Sequence, residues 1–303
     1  LIQKNSDLLM PHLFSRIKKH LIYFIPLIAA LFLMSSKIVD TPKPFVYNPA
    51  LPAELTVFGE RVPLEDPEVR ERIENELILL SRQEHLMFRY FKRSGRWFKK
   101  FDELLQKEGM PLDFKYLPLV ESGLDNLVSS AKAAGFWQFL ESTGKQFGLT
   151  INSEIDERYD PEKSAIAAIR YLKIAKNKFG TWAAAAGSYN MGMGGMENRI
   201  SSQLSSNYYD LLLPDETTKY VPRIAAMKLI FEDPAKYGYM LTENDYWKPL
   251  NYREVQITET ISDLTRFAKQ NGTTLKSIRY LNPWIRGNKL TISKGGSFTL
   301  RLP

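Results

Sequence analysis

Between Pro67 and Glu232 the sequence never sustains an alternation of period two; its apolar residues recur at helical spacing instead. A chain patterned this way packs as helices, and this pattern sets the fold class more firmly than any single residue. Val69, Ile73, Leu77, Leu80, Met87 and Phe91 form one apolar stripe, which predicts a long amphipathic helix over 67 to about 92. Asp66 can cap that helix and Pro67 suits its first turn. Ser94 and Gly95 are expected to break it ahead of a shorter helix over 97–107, which Gly109-Met110-Pro111 ends. Asp113 can cap the next helix, which carries Phe114, Tyr116, Leu117, Leu119 and Val120 up to Glu121 and Ser122, with Gly123 as the stop. Asp160-Pro161-Glu162 sets cap, first-turn proline and acidic first turn in order, and Gly180 closes that helix. Thr181 then caps a helix of small residues over 182–189, whose alanines allow close helix–helix approach.

After Asp233-Pro234 the character changes. Residues 252–260 and 297–302 are β-rich, while 262–270 and 275–280 look helical. A β-α-α-β order in so short a span suggests a small separate module. The expected organisation is a basic flank and hydrophobic signal peptide or anchor over 1–36, a linker over 37–66 and N-terminal helices over 67–106. A helical domain follows over 107–233, then a second linker over 234–251 and the module over 252–303.

The 303 residues include no cysteine, which removes disulfides, thiol nucleophiles and cysteine-held metals or clusters. His12, His20 and His85 all lie in the first third, so the remainder must work without imidazole. That argues against a serine–histidine triad or a histidine-ligated metal there. The net charge of +7 fits an anionic partner such as cell wall, membrane surface or nucleic acid, and equally a merely basic, soluble surface. No recognisable motif supports nucleic acid. Arg16, Lys18 and Lys19 precede an uncharged run over 21–34, the layout of an export signal or signal-anchor. The run is shorter than the usual spanning helix. With no cysteine, no lipidated amino terminus is expected.

Four clusters could carry chemistry. Glu121 ends an apolar helix, where desolvation would raise its pKa and keep a proton available for glycosidic cleavage. On position alone, a surface glutamate at a helix end is the preferred alternative. Gly135-Phe136-Trp137-Gln138-Phe139 surrounds one amide with rings, as a sugar site does, or is a core aromatic patch with an exposed glutamine. Ser188-Tyr189-Asn190-Met191-Gly192 can put a hydroxyl and an amide on a cleft wall, or simply end a helix. Within Glu216-Thr217-Thr218-Lys219-Tyr220-Val221-Pro222, Tyr220 is buried core by default.

In their order and spacing these clusters closely resemble the family 1 lytic transglycosylases. The family's Glu-Ser stands as Glu121-Ser122, its Gly-Leu-Met-Gln as Gly135-Phe136-Trp137-Gln138 and its Ala-Tyr-Asn-x-Gly as Ser188-Tyr189-Asn190-Met191-Gly192. Its late tyrosine matches Tyr220. The Trp-Gln pairing and the ETxxYVP phrase look most like the membrane-bound lytic transglycosylase D branch. The C-terminal module resembles a LysM domain through Leu264–Ala268, Thr273–Leu275 and Leu281-Asn282-Pro283, with Thr258-Glu259-Thr260-Ile261 in place of the usual Gly-Asp-Thr-Leu opening.

The resemblance implies a mainly α protein: a lysozyme-like, goose-type all-α catalytic domain plus a small α+β LysM-like domain. It implies cleavage of the β-1,4 bond between N-acetylmuramic acid and N-acetylglucosamine, with a 1,6-anhydro product and Glu121 as sole acid/base. Ser122 would orient the Glu121 carboxylate by hydrogen bonding. Gln138, Tyr189 and Asn190 would hold the N-acetyl groups and reacting sugar, and Tyr220 would hydrogen-bond near Glu121. Asp125 reads as a surface residue. No metal or cofactor is called for. Peptidoglycan strands are the expected partner, without nucleic acid, in the periplasm or cell envelope and with anchoring through 21–34 as an option. A goose-type lysozyme-like hydrolase and a non-catalytic wall-binding protein stand as alternatives.

Overall fold

Two consecutive helices, α1 (Pro67–Arg82) and α2 (Glu84–Lys107), take up the apolar stripe read from the sequence. The structure is a computed structural model that describes residues 48–303; the expected leader or anchor at 1–36 lies outside them. The chain bends at Gln83, not at Ser94-Gly95. At the bend, the Tyr239 hydroxyl supplies a donor to the carbonyls of Leu80 and Ser81, 3.2 and 3.1 Å away, where α1 gives out. Ser94-Gly95 instead continues α2 unbroken. A Cβ at Gly95 would lie 2.5 Å from the Tyr246 Cβ, and Trp247 N–H donates to Lys92 O at 2.8 Å. The glycine marks a close approach by the 246–247 segment, which a local reading cannot distinguish from a break.

Residues 48–66, expected as linker, carry a two-stranded hairpin of β1 (Thr56–Val57) and β2 (Glu60–Arg61) with Leu55, Val57, Phe58, Val62 and Leu64 buried. Phe58 stacks on Phe114 at 4.2 Å, and its N–H donates to Asp113 Oδ2 at 2.7 Å. Asp113 therefore does not cap a helix. It sits within the 3₁₀ turn Leu112–Tyr116 and also pairs with Lys228 at 2.8 Å. That turn leads into the short helix α3 (Leu117–Ser122), closed by Gly123 at φ +61°.

After α4 (Glu141–Gln146), helix α5 (Pro161–Phe179) starts as expected, with the Asp160 carboxylate accepting from the Glu162 and Lys163 N–H groups and Gly180 at φ +83° closing it. Helix α6 (Trp182–Met191) is capped by Thr181, and Glu60 of the hairpin accepts from the Trp182 and Ala183 N–H groups. Its run from Ala183 to Ser188 is buried, in keeping with a small-residue helix surrounded by others. It packs between α5 and α8 (Asp215–Glu232), with α7 (Met193–Gln203) beyond it.

Pro222 lies inside α8 and cannot donate to the Thr218 carbonyl. The buried Tyr208 hydroxyl reaches that carbonyl at 3.1 Å and also bonds Thr217 O. Its phenol compensates for the missing backbone donor one turn from Tyr220.

The C-terminal module is the expected β-α-α-β unit: β3 (Arg253–Ile257), α9 (Leu264–Gln270), α10 (Leu275–Leu281) and β4 (Phe298–Leu302), with β3 antiparallel to β4. It is not a loosely tethered bead. Ile155 of the helical body sits inside the module's core beside Trp284, Ile285 and Leu290. Backbone bonds fix the joint: Asp156 N–H to Trp284 O and Arg286 N–H to Glu154 O, both 2.8 Å. Arg301 adds an ion pair to Glu162 at 2.6 Å.

Candidate active site

Glu121 occupies the last turn of α3, where the apolar run Leu117–Val120 anchors the helix in the core and Gly123 turns the chain away. A Cβ on Gly123 would meet Tyr90 at 2.3 Å, and the Gly123 carbonyl accepts from Arg93 at 2.9 Å, so the helix end is held from two sides. The Glu121 carboxyl faces a cavity of about 400 Å³ that Gln138, Phe139, Tyr189 and Asn190 also line. Burial pushes its pKa from the ordinary 4.5 to about 7; the Tyr220 hydrogen bond and the Arg223 charge pull the other way, and Glu216 adds to the rise. Arg223 is itself engaged by the buried Glu76 at 2.8 Å, which tempers its pull.

Tyr220, fully buried in α8, donates its hydroxyl to Glu121 Oε1. Burial pushes the Tyr220 and Tyr189 phenols well above their usual range, so both remain protonated donors. The Tyr189 hydroxyl donates to Trp137 O at 2.7 Å. Asn190 accepts from the Thr217 hydroxyl at 2.7 Å, which fixes its amide and leaves the NH₂ to serve the cavity. Gln138 stands at φ +47°, a left-handed conformation costly for a residue with a Cβ, and its amide donates to Gly135 O at 2.7 Å.

Four of the six residues singled out from sequence thus share one cavity, and Tyr220 reaches it through Glu121. Ser122 does not. Its hydroxyl lies 2.8 Å from Phe136 O and 3.1 Å from Pro118 O, and makes no bond to Glu121. It ties the end of α3 to the 135–139 loop, because the helix turn points residue 122 into the core while residue 121 faces the cleft. The aromatic rings of that loop are likewise core rather than sugar platforms. Phe136 meets Trp97, and Trp137 meets Phe101 while donating to Pro161 O; only Phe139 reaches the cavity. Asp125 is held by Arg93, with Arg89 at 4.0 Å, and does not line the cavity.

Two supporting groups escaped the sequence reading. Arg158 is buried against Asp156 in a two-pronged pair and donates to Lys132 O and Phe139 O, at 3.0 and 3.2 Å, pinning both ends of the loop that presents Gln138. Gly135 packs so tightly there that a Cβ would fall 1.8 Å from Arg158 O. The Asp-x-Arg spacing carries no distinctive signal. Tyr208 could have been sought, since a proline inside a helical phrase demands a donor for the carbonyl four residues back.

Residues 101–212 match the family model described as Transglycosylase SLT domain. Over that span the chain is similar to an SLT domain. Residues 253–303 match the model described as Soluble lytic transglycosylase C-terminal LysM-like domain, so the lysozyme-like and LysM-like expectations both hold. The chain is also similar to two relatives named membrane-bound lytic murein transglycosylase D, from Escherichia coli strain K12 and strain O6:H1. Each is 30% identical over 195 residues, covering 62% of this chain and 42% of the relative. The match therefore spans less than half the length of these curated relatives. Glu121, Gln138, Tyr189 and Asn190 all fall inside the matched SLT segment; Tyr220 lies just beyond it. No helix among the described residues is long and apolar enough to cross a membrane.

Proposed function

We propose that the chain is a peptidoglycan lytic transglycosylase in which Glu121 alone serves as acid and then base. One observation carries the reading. Among the described residues lining the cavity, Glu121 is the sole carboxyl, and its surroundings favour the protonated form near neutral pH. A neutral carboxyl can protonate the bridging oxygen between N-acetylmuramic acid and N-acetylglucosamine as positive charge develops at C1. The resulting carboxylate, still hydrogen-bonded by Tyr220, then removes the proton from the sugar's own C6 hydroxyl. That oxygen closes onto C1 as a 1,6-anhydro bridge, and Glu121 regains its proton. Atoms balance without water, and no second carboxylate is needed.

Gln138 and Asn190 offer amides, and Tyr189 a phenol, to the N-acetyl and hydroxyl groups of the flanking sugars. Ser122 acts through the backbone, by tying α3 to the loop of Gln138. The cell envelope is the corresponding place of action, with peptidoglycan strands as the partner and the segment over 21–34 as export signal or anchor. Mass spectrometry of digested sacculi tests the reaction: anhydromuramyl ends are expected from the wild type and none from Glu121→Gln. Reducing ends would replace the reading with a hydrolase, and a fully active Glu121→Gln would remove it.

A further inference from the structure

A larger cavity, about 550 Å³, opens where the helical body, the 246–252 segment and the C-terminal module meet. It is not the Glu121 cleft: none of the residues lining that cleft lines this one. The segment 121–139 is the wall between the two, with Glu121 and Gln138 on one side and Leu124, Asn126 and Phe136 on the other.

Its lining combines five cations with two carboxylates. Arg93, Lys100 and Arg301 are engaged by Asp125 or Glu162. Arg96 and Arg279 pair with no carboxylate among the described residues. Arg96 lies over the Trp247 ring at 5.2 Å and donates to the Tyr280 hydroxyl at 3.3 Å; Arg279 donates to Gly287 O at 3.0 Å. Each guanidinium retains donors for an anion. Four large aromatic side chains are exposed among the described residues, and three of them, Trp247, Tyr252 and Tyr280, ring this cavity. Exposed rings beside uncompensated arginines suit a ligand with both carboxylates and apolar or ring surface. The joint that shapes the cavity is fixed by the Ile155 insertion and by Asp156 N–H to Trp284 O, so the site is preformed.

We propose that this cavity binds a short acidic peptide through its carboxylates, of the class that hangs from the wall polymer. That choice of ligand rests on the lytic transglycosylase reading. The cavity thereby gives the enzyme a grip on the peptide branches of its substrate, away from the cleavage site.

Calorimetric titration of the full chain with a synthetic acidic tetrapeptide of the wall-stem type tests this, beside the same peptide with every carboxyl amidated. The acidic peptide is expected to bind, and amidation to weaken it at least about tenfold, as loss of charge-assisted bonds requires. Arg96→Gln combined with Arg279→Gln should weaken it to the same extent, while cleavage of peptide-free glycan strands stays unchanged. Quenching of Trp247 fluorescence, absent in Trp247→Phe, reads occupancy in the otherwise native chain and does not depend on the arginine variant folding. Equal affinity for the two peptides, or no binding by wild type, overturns the proposal. Cleavage of peptide-free strands without peptide binding sinks this inference alone; failure to cleave those strands sinks the lytic reading instead.

Discussion

Replacing Glu121 by glutamine should abolish turnover and yet stabilise the fold, by an amount that depends on pH in a defined way. Moving a carboxyl from 4.5 to about 7 means that its ionised form is disfavoured in the native state by about 3 kcal/mol, at ~1.4 kcal/mol per pH unit. The native state holds this proton between those two values while the unfolded chain has released it. Wild-type stability from this group therefore falls as pH rises from 4.5 to about 7 and is flat above. Glutamine is nearly isosteric, carries no charge and can still accept the Tyr220 hydroxyl. Urea unfolding of both proteins should show no gap near pH 4.5, opening to about 3 kcal/mol in favour of Glu121→Gln by pH ~8. Every other titrating group is shared and cancels. A gap that is constant with pH, or one favouring wild type at alkaline pH, would refute the claim that burial holds this carboxyl protonated.

Tyr220→Phe removes a hydrogen bond that lowers the Glu121 pKa, so the alkaline limb of the pH–rate profile should move above about 7 while turnover drops; a limb moving down would contradict the geometry. Arg158→Met leaves Asp156 as a buried unpaired charge and strips the 132–139 loop of two donors; a loss of roughly 3–5 kcal/mol in thermal unfolding is expected, with faster hydrogen exchange in that loop. Gly95→Ala would gain ~1 kcal/mol in an open helix, but here should lose stability because the new Cβ meets Tyr246 at 2.5 Å; a raised melting temperature would show that the 246–247 segment yields freely.

Much of this was legible along the chain because it is local. The caps at Asp66, Asp160 and Thr181 and the stops at Gly123 and Gly180 depend only on residues a turn away, and all stand where the sequence puts them. That Glu121, Gln138, Tyr189 and Asn190 share one cavity, with Tyr220 bonded to Glu121, is legible only through the order of their motifs, since on position alone Glu121 reads as surface. What went astray depends on distant partners. Ser94-Gly95 reads as a break until Tyr246, far along the chain, is seen resting on it. Asp113 reads as a cap until Phe58 and Lys228 claim its carboxylate. Residues 48–66 read as linker because two-residue strands leave no periodicity to detect. Ser122 reads as a partner of its sequence neighbour Glu121, whereas a helical turn aims it at Phe136.

The seating of Ile155 among Trp284, Ile285 and Leu290 has a consequence for how this protein could be cut or recombined. A chain shortened after residue 251 would leave a bare isoleucine on one fragment and a notch in the other. The same stretch feeds through Asp156 to Arg158, so damage at the seam would travel to the loop bearing Gln138. The small unit at the end is thus a keystone of the larger one, and swapping it for a foreign counterpart would require carrying residues 151–163 along with it.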